Sequence, residues 1–169
     1  MSANPADVKR SLNMRVAAAH RSAQVIVMAF AASIVVYMFV GFLLLRIAPP
    51  EAESQVPVPF YVAAVFLAFG SITLRRTQLR ALRLEVVTGL RGIDGLLKHL
   101  VNITIISAAL AEIIGVLAIV VAFFGGTAWD VVRLGIVGLV VTLYSYPRRE
   151  AWQRTIDYYA ATAPGAATS

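Results

Sequence analysis

The stretch from Val101 to Phe124 constrains the fold of this chain more than any other part of the sequence. It is long and apolar, and its only charged residue, Glu112, lies near its centre. Crossing about 30 Å of hydrocarbon takes roughly 20 helical residues, so the stretch predicts a transmembrane helix. A charged side chain at that depth costs at least ~2.5 kcal/mol, so Glu112 predicts a function or a specific partner.

The composition of the 169 residues indicates the class of protein. Hydrophobic residues make up 59% and charged residues 14%, and the mean hydropathy is +0.77. These values are typical of an integral membrane protein with one helical domain. The absence of cysteine excludes disulfides, thiol redox chemistry and cysteine-ligated metals. Because the sequence has two histidines, no dense acid cluster and no phosphate-loop or nucleophile motif, it predicts neither a metal site nor an enzyme.

Four apolar segments predict an all-α membrane fold with four transmembrane helices and amphipathic cytoplasmic helices. We predict a basic N-terminal segment at 1–22, a membrane domain at 23–159 and a disordered tail at 160–169. The predicted spans are about 23–46, 56–75, 101–124 and 128–146, with a cytoplasmic helix at 76–98. Gly89, Gly92 and Gly95 are expected to loosen that helix and let the chain turn back.

The placement of lysine and arginine predicts the orientation. Four of these residues precede the first span, six lie between the second and third, and three follow the fourth. Only Arg46 and Arg133 lie on the other side. The positive-inside rule therefore predicts a multi-pass protein of the bacterial inner membrane with both termini cytoplasmic. This placement also explains the net charge of +6 without a nucleic-acid partner.

The first and third spans are similar to each other at an offset of 80 residues, where residues 29–31 match residues 109–111. In each half the span that follows ends near two consecutive arginines, Arg75-Arg76 and Arg148-Arg149. This echo is compatible with two tandem helical hairpins in the same orientation.

The segment between the second and third spans has an apolar face flanked by basic side chains. Apolar residues recur there every three or four positions, which predicts an amphipathic helix. Such a helix is either a docking surface for anionic lipid headgroups or a partner, or a solvated loop that only sets the topology. The candidate docking residues are Arg75, Arg76, Arg80, Arg83 and Arg91.

A seam of small residues runs along the third span and borders Glu112. In lipid, such a seam lets another helix approach closely, because packing rather than the hydrophobic effect joins membrane helices. The seam consists of Ala108, Ala111, Gly115, Ala118 and Ala122.

The run IISAALAEIIGVLAIVVAFF, which ends at Phe124, resembles the carboxylate-bearing helix of the ring proteolipid of rotary ATP synthases. In that family an AALAE-type segment carries the proton-binding acid, so the resemblance implies that Glu112 is a proton carrier. As a whole, the chain is similar to small uncharacterised four-helix bacterial membrane proteins that share such a helix and a Pro-Arg-Arg-x-x-Trp ending, here at 147–152. That similarity implies a fold and no activity.

Three interpretations of Glu112 remain open. Arg133 is expected at a depth that differs by ~6 Å at about 1.5 Å per residue, within reach of an extended arginine, so the two could form a buried ion pair. Alternatively, a protonated Glu112 could bond to Ser33, Ser107 or a backbone carbonyl, because an apolar environment disfavours the charged form. The third interpretation is proton or ion transfer.

Two histidines and several aromatic residues are secondary candidates. His20 and His99 directly precede the first and third spans, so they could ligate a haem or chlorophyll-type pigments, although boundary histidines usually have no such role. Tyr37 and Trp152 are interpreted as packing or interfacial aromatics.

We therefore predict a non-enzymatic accessory or scaffold subunit of an energy-transducing membrane complex, packing through the seam and requiring no cofactor. Its expected partners are membrane lipids and other membrane-protein subunits, or a second copy of the chain. The alternative is a proton- or ion-handling, proteolipid-like protein that uses Glu112.

Overall fold

The computed structural model describes residues 5–47 and 58–162, of which 93% are helical and none lies in a strand. The helices are α1 (Pro5–Ile47), α2 (Val58–Gln78), α3 (Ala81–Phe123), α4 (Ala128–Tyr144) and α5 (Arg149–Thr162). Four helical segments, one each in α1, α2, α3 and the region of α4 and α5, are long and apolar enough to cross a membrane. The prediction of an all-helical chain with four such segments is confirmed.

Helices α1 and α3 are far longer than a membrane is thick. Each contains 43 residues, which is roughly 65 Å at about 1.5 Å per residue, against about 30 Å of hydrocarbon. Both therefore continue past the bundle at the end that carries Arg75 and Arg148, which we call the basic end. The predicted N-terminal segment and first span form one continuous helix over the described residues. The opposite end of the bundle, at the turn between α3 and α4, is called the turn end.

Some predicted boundaries fall outside the described residues. The predicted start of the second span at 56 lies in the stretch 48–57, and most of the predicted tail lies in 163–169. Neither stretch belongs to the part of the chain that the structure describes. Residues 160–162, which were assigned to the tail by sequence, belong to α5.

The sequence predicts that the helix at 76–98 extends the second span into the cytoplasm, and this prediction is wrong. Helix α2 ends at Gln78 and the backbone of Arg80 is extended (φ −65°, ψ 141°), so the amphipathic segment is instead the first part of α3. It is separated from the third span at Gly92, whose φ of 64° and ψ of −168° are accessible mainly to glycine. Gly95 is needed beside it, because a Cβ there would collide with the Arg91 side chain.

Two separate hydrophobic cores hold the helices together. The bundle core contains Ala64, Ala111, Ile114, Ala118, Val121, Ala122, Val131, Leu134 and Val141, from α2, α3 and α4. The basic-end core contains Val16, Ala23, Leu84, Leu96, Leu97, Leu100, Trp152, Ile156 and Tyr159, from α1, α3 and α5. Helix α3 is common to both cores and so forms the central column of the fold.

The outward surface of the bundle is apolar, as a lipid-facing surface would be. Many large hydrophobic side chains are exposed on α1, α2 and α4. Helix α2 is the least enclosed, since 11% of the residues in its apolar window are buried against 44% for α3. Helix α2 therefore lies at the periphery of the bundle.

Candidate functional site at Glu112

The Glu112 carboxyl group lies where α3 contacts α1. The Tyr37 hydroxyl donates a hydrogen bond to Glu112 Oε1 at 3.0 Å, so residues 75 positions apart in sequence meet. Glu112 is half-buried, and its neighbours Ile113 and Val116 are 46% and 39% exposed. The acid therefore borders the outward apolar surface of the bundle rather than the bundle core.

Of the two serines proposed as partners, Ser33 is the one near this pair. It lies one turn before Tyr37 on α1, donates to the Ala29 carbonyl at 3.1 Å and is close enough to the Tyr37 hydroxyl to interact with it. Ser107 is fully buried, and its Oγ has no hydrogen-bond partner among the described residues. Its carbonyl accepts a hydrogen bond from Ser71 Oγ at 3.1 Å. Ser107 thus belongs to the contact between α2 and α3.

Arg133 does not pair with Glu112. Within residues 5–47 and 58–162 no ion pair joins the two side chains. Arg133 is exposed and lies near Asp130 and Tyr61 at the turn end. The predicted ion pair is therefore not formed, and Glu112 has a neutral hydrogen-bond donor, Tyr37, in place of a cation.

A second carboxylate–tyrosine contact occurs at the turn end. The Tyr61 hydroxyl donates to Asp130 Oδ1, and Asp130 Oδ2 accepts from the Thr127 backbone N–H at 2.8 Å and its hydroxyl at 2.7 Å. Thr127 and Asp130 form a capping box at the start of α4, and the spacing T-x-x-D is the sequence signal that could have identified it. This acid links α2 to α4 and fixes the start of a helix, which is a structural role.

The seam of small residues is occupied within the chain itself. Its members Ala108, Ala111 and Ala118 are fully buried. A Cβ at Gly115 would lie 2.8 Å from the Ile34 side chain, and one at Gly138 would lie 3.2 Å from the Ala111 carbonyl oxygen. Helices α1 and α4 therefore fill the seam, so it is not free to receive a helix from another subunit.

The two histidines have different surroundings. His20 is buried; its Nε2 lies 3.0 Å from the Pro147 carbonyl oxygen, and its ring meets Trp152 edge-on at 5.6 Å. That nitrogen is engaged in holding α1 to the connection between α4 and α5. The Nε2 of half-buried His99 has no hydrogen-bond partner among the described residues, and this side chain lines a cavity of about 530 Å³ with Arg91 and Lys98. Haem or pigment binding by this pair stays a prediction.

The basic docking residues do not share one environment. Arg75 is half-buried and donates to the carbonyl oxygens of Tyr144 at 2.6 Å and Tyr146 at 3.4 Å. Arg76, Arg80 and Arg91 are exposed, whereas the side chain of Arg83 lies outside the described residues. Arg75 therefore satisfies carbonyls at the C-terminal end of α4, which sequence periodicity could not show.

Over the described ranges, no three histidine, aspartate or glutamate side chains gather as metal ligands would. Comparison with family models, with curated proteins and with solved structures finds no match to the chain.

Proposed function

We propose that the chain is a non-enzymatic membrane protein that binds and releases a proton or ion at Glu112. The observation that carries the proposal is the hydrogen bond from the Tyr37 hydroxyl to the half-buried Glu112, whose neighbours Ile113 and Val116 are exposed. The resemblance of the third span to the acid-bearing helix of ring proteolipids supports the same role.

The chemistry follows from the surroundings of the carboxyl group. In hydrocarbon a neutral carboxyl group is far less costly than an unpaired carboxylate. The Tyr37 hydroxyl can donate to either form, since a protonated carboxyl group keeps an acceptor oxygen. Glu112 can thus change its protonation state without losing this partner, and its partial exposure lets a proton reach it from outside the bundle core.

Labelling with a hydrophobic carbodiimide tests this proposal, because the reagent reacts with protonated carboxyl groups in apolar surroundings. We expect labelling of the wild type in membranes that falls as pH rises, and no labelling of Glu112→Gln. The matched control is Glu85→Gln, which changes an exposed acid on the same helix and should label like the wild type. Equal labelling of Glu112→Gln, or none of the wild type at any pH, would contradict the proposal.

We propose as a second candidate an accessory or scaffold subunit of an energy-transducing complex. The observation that favours it is the open face of α2, where Phe66 and Phe69 are exposed and a Cβ at Gly70 would meet nothing within 4 Å. Another subunit or a second copy has room to pack on α2, in place of the occupied seam.

Gentle extraction from native membranes through a tag, followed by mass spectrometry and an absorption spectrum, tests the accessory role. Stoichiometric co-purification of a membrane complex that is lost in Gly70→Leu supports it. Visible absorption of the same sample would support haem or pigment binding by His20 and His99. A monomer with no partner and no visible absorption argues against the accessory role and against haem or pigment binding. The proton or ion role of Glu112 is then the remaining proposal.

We further propose that the chain lies in the bacterial inner membrane with its basic end in the cytoplasm. The support is the thirteen of 15 lysines and arginines that the predicted topology places on that side. Because the chain has no cysteine, Asn13→Cys and Ala128→Cys provide clean probes. A membrane-impermeant maleimide should label Ala128→Cys in intact cells and Asn13→Cys only after permeabilisation, and the reverse pattern would overturn the orientation.

A further inference from the structure

A cavity of about 620 Å³ opens at the basic end, between α1 and the C-terminal ends of α2 and α4. This volume is in the range of small-molecule sites, about 300–1,000 Å³. Its lining consists of Met28, Arg75, Leu143, Tyr144, Tyr146 and Arg148. The cavity differs from the Glu112 site in charge and position. Its charged groups are cationic, and they lie where the apolar segments end.

The charge of the cavity is positive. Two guanidinium groups line it, and none of the described lining residues carries a carboxylate. Arg75 is held in place by the Tyr144 and Tyr146 carbonyls and by the Tyr144 ring, whose centroid lies 5.4 Å from Cζ. A guanidinium has five N–H donors, so Arg75 keeps donors for a ligand. The exposed Arg148 side chain adds a second guanidinium group. The N–H donors of guanidinium groups match the oxygens of a phosphate in geometry and charge.

A tyrosine hydroxyl offers a further donor. Gln24 Nε2 donates to the Tyr146 hydroxyl oxygen at 2.6 Å, so the hydroxyl proton of Tyr146 is left to donate elsewhere. The cavity therefore combines two cations with a positioned neutral donor, and both kinds of group bind an anionic oxygen.

The apolar part of the lining distinguishes a lipid from a free phosphate. Met28 and Leu143 are 55% and 56% exposed and belong to the outward apolar surface of the bundle. A free phosphate would use only the polar groups. A phosphate that carries acyl chains would also cover Met28 and Leu143, with its chains lying along α1 and α4.

From this arrangement we propose that the cavity binds one anionic phospholipid, with its phosphate between Arg75 and Arg148 and its acyl chains against Met28 and Leu143. The site is independent of the role proposed for Glu112. The sequence predicts a docking surface made of a row of basic side chains. The proposed site is instead a single pocket, which Arg148 lines and the exposed Arg76 and Arg80 do not.

Native mass spectrometry of the full chain released from lipid nanodiscs tests the proposal. The nanodiscs contain phosphatidylcholine with and without phosphatidylglycerol, and the retained lipid is counted. We expect one phosphatidylglycerol on the wild type and about fivefold less on Arg148→Gln, because this variant removes one of the two guanidinium groups on the phosphate and one arginine in contact with an anionic headgroup contributes on this scale. The matched control is Arg149→Gln, the next residue, which is exposed and does not line the cavity.

Each outcome decides the proposal. Equal retention of phosphatidylcholine and phosphatidylglycerol, or the same loss in both variants, would overturn it. Displacement of the lipid by soluble glycerol phosphate would also overturn it, since the ligand would then be a free phosphate. Tyr146→Phe keeps both arginines and removes only the hydroxyl, so reduced retention in that variant with unchanged helicity would support the pocket over general surface charge.

Discussion

The bundle core and the basic-end core bury different kinds of side chain. Four of the nine bundle-core residues are alanines, and Gly115 lets Ile34 approach closely, although large side chains such as Ile114 are buried there too. Only one of the nine basic-end-core residues is an alanine, and most of the others are large, such as Leu96 and Trp152. In lipid, helices associate by close packing because the hydrophobic effect does not act between them, whereas in water the burial of large apolar groups drives association.

The change between these two modes occurs along a single helix. Among the described residues of α3, the buried hydrophobic side chains as far as Ile103 are all large, and buried alanines occur only from Ala108 onward, together with Ile114 and Val121. The change in packing along α3 therefore lies between Ile103 and Ala108.

The polar contacts beside the basic-end core also differ from those in the bundle. Beside the basic-end core, Arg15 and Asp94 form an ion pair at 2.7 Å. In the bundle, both half-buried or buried acids, Glu112 and Asp130, accept from tyrosine hydroxyls. A neutral donor is a suitable partner for a carboxyl group in a poorly solvated site, because pairing with a cation would require two charges to be desolvated.

The largest expected effect is the loss of Trp152 from the basic-end core. Truncation of a buried tryptophan costs about 3–5 kcal/mol, and Trp152→Ala should therefore let α5 detach from α1 and α3 while the bundle stays folded. Hydrogen exchange should show faster exchange of the α5 amides and unchanged exchange in α4. The control is Trp129→Ala, because Trp129 is 70% exposed at the turn end. Unchanged protection of α5 would mean that burial of large side chains does not hold this region.

The converse change tests the bundle core by adding volume. Gly115→Leu would force a side chain into space that Ile34 fills, since even a Cβ would lie 2.8 Å from it. Overpacking costs about 1–3 kcal/mol, so thermal unfolding in detergent should begin at a lower temperature. Gly70→Leu makes the same substitution where nothing lies within 4 Å and should not lower it. Equal effects of the two variants would show that close helix approach is not what stabilises the bundle.

Much of the fold could be predicted from the sequence because the relevant signals are local. Long apolar runs gave four candidate spans, and the three glycines near 92 marked where a helix had to break. The periodicity of small residues on α3 indicated a close-packing face. It could not show which helix fills that face, because the partners, α1 and α4, are distant in sequence and their identity depends on tertiary packing.

The partner of Glu112 was missed for a related reason. Depth alone placed Arg133 near it, but a side chain's direction depends on the rotation of its helix. Gly135 and Gly138 face α1 and α3, and Arg133 precedes Gly135 by two residues, which is roughly 200° around a helix of about 3.6 residues per turn. Arg133 therefore faces outward. Tyr37 was interpreted only as a packing or interfacial aromatic, although its hydroxyl reaches the acid.

A smaller effect than that of Trp152→Ala is expected at the break in α3, which lies within the segment that contributes to the basic-end core. Gly92 has a φ of 64° and a ψ of −168°, a region almost restricted to glycine, where a residue with a Cβ costs about 1–3 kcal/mol. Gly92→Ala should therefore destabilise the first part of α3, seen as faster proteolysis after Arg83 or Arg91. Gly89→Ala is the matched control: its φ is not positive and nothing lies within 4 Å of its Cβ position, so it should stabilise this part by about 0.5–1 kcal/mol. Equal behaviour of the two variants would remove the need for a glycine at the break.

The smallest effect should come from the ion pair between Arg15 and Asp94. Both side chains are exposed, by 55% and 70%, and exposed pairs contribute about 0.2–1 kcal/mol. A double-mutant cycle of Arg15→Gln and Asp94→Asn should give a coupling energy in that range that decreases in high salt, because mobile ions screen exposed charges. Asp94 lies two residues after Gly92, so the pair joins α1 to α3 beside the break, between the core residues Leu84 and Leu96. A coupling clearly above 1 kcal/mol and insensitive to salt would mean that these charges are poorly solvated. The basic end would then lie in an environment more like that of the bundle, and the packing change along α3 would not mark a change of solvent.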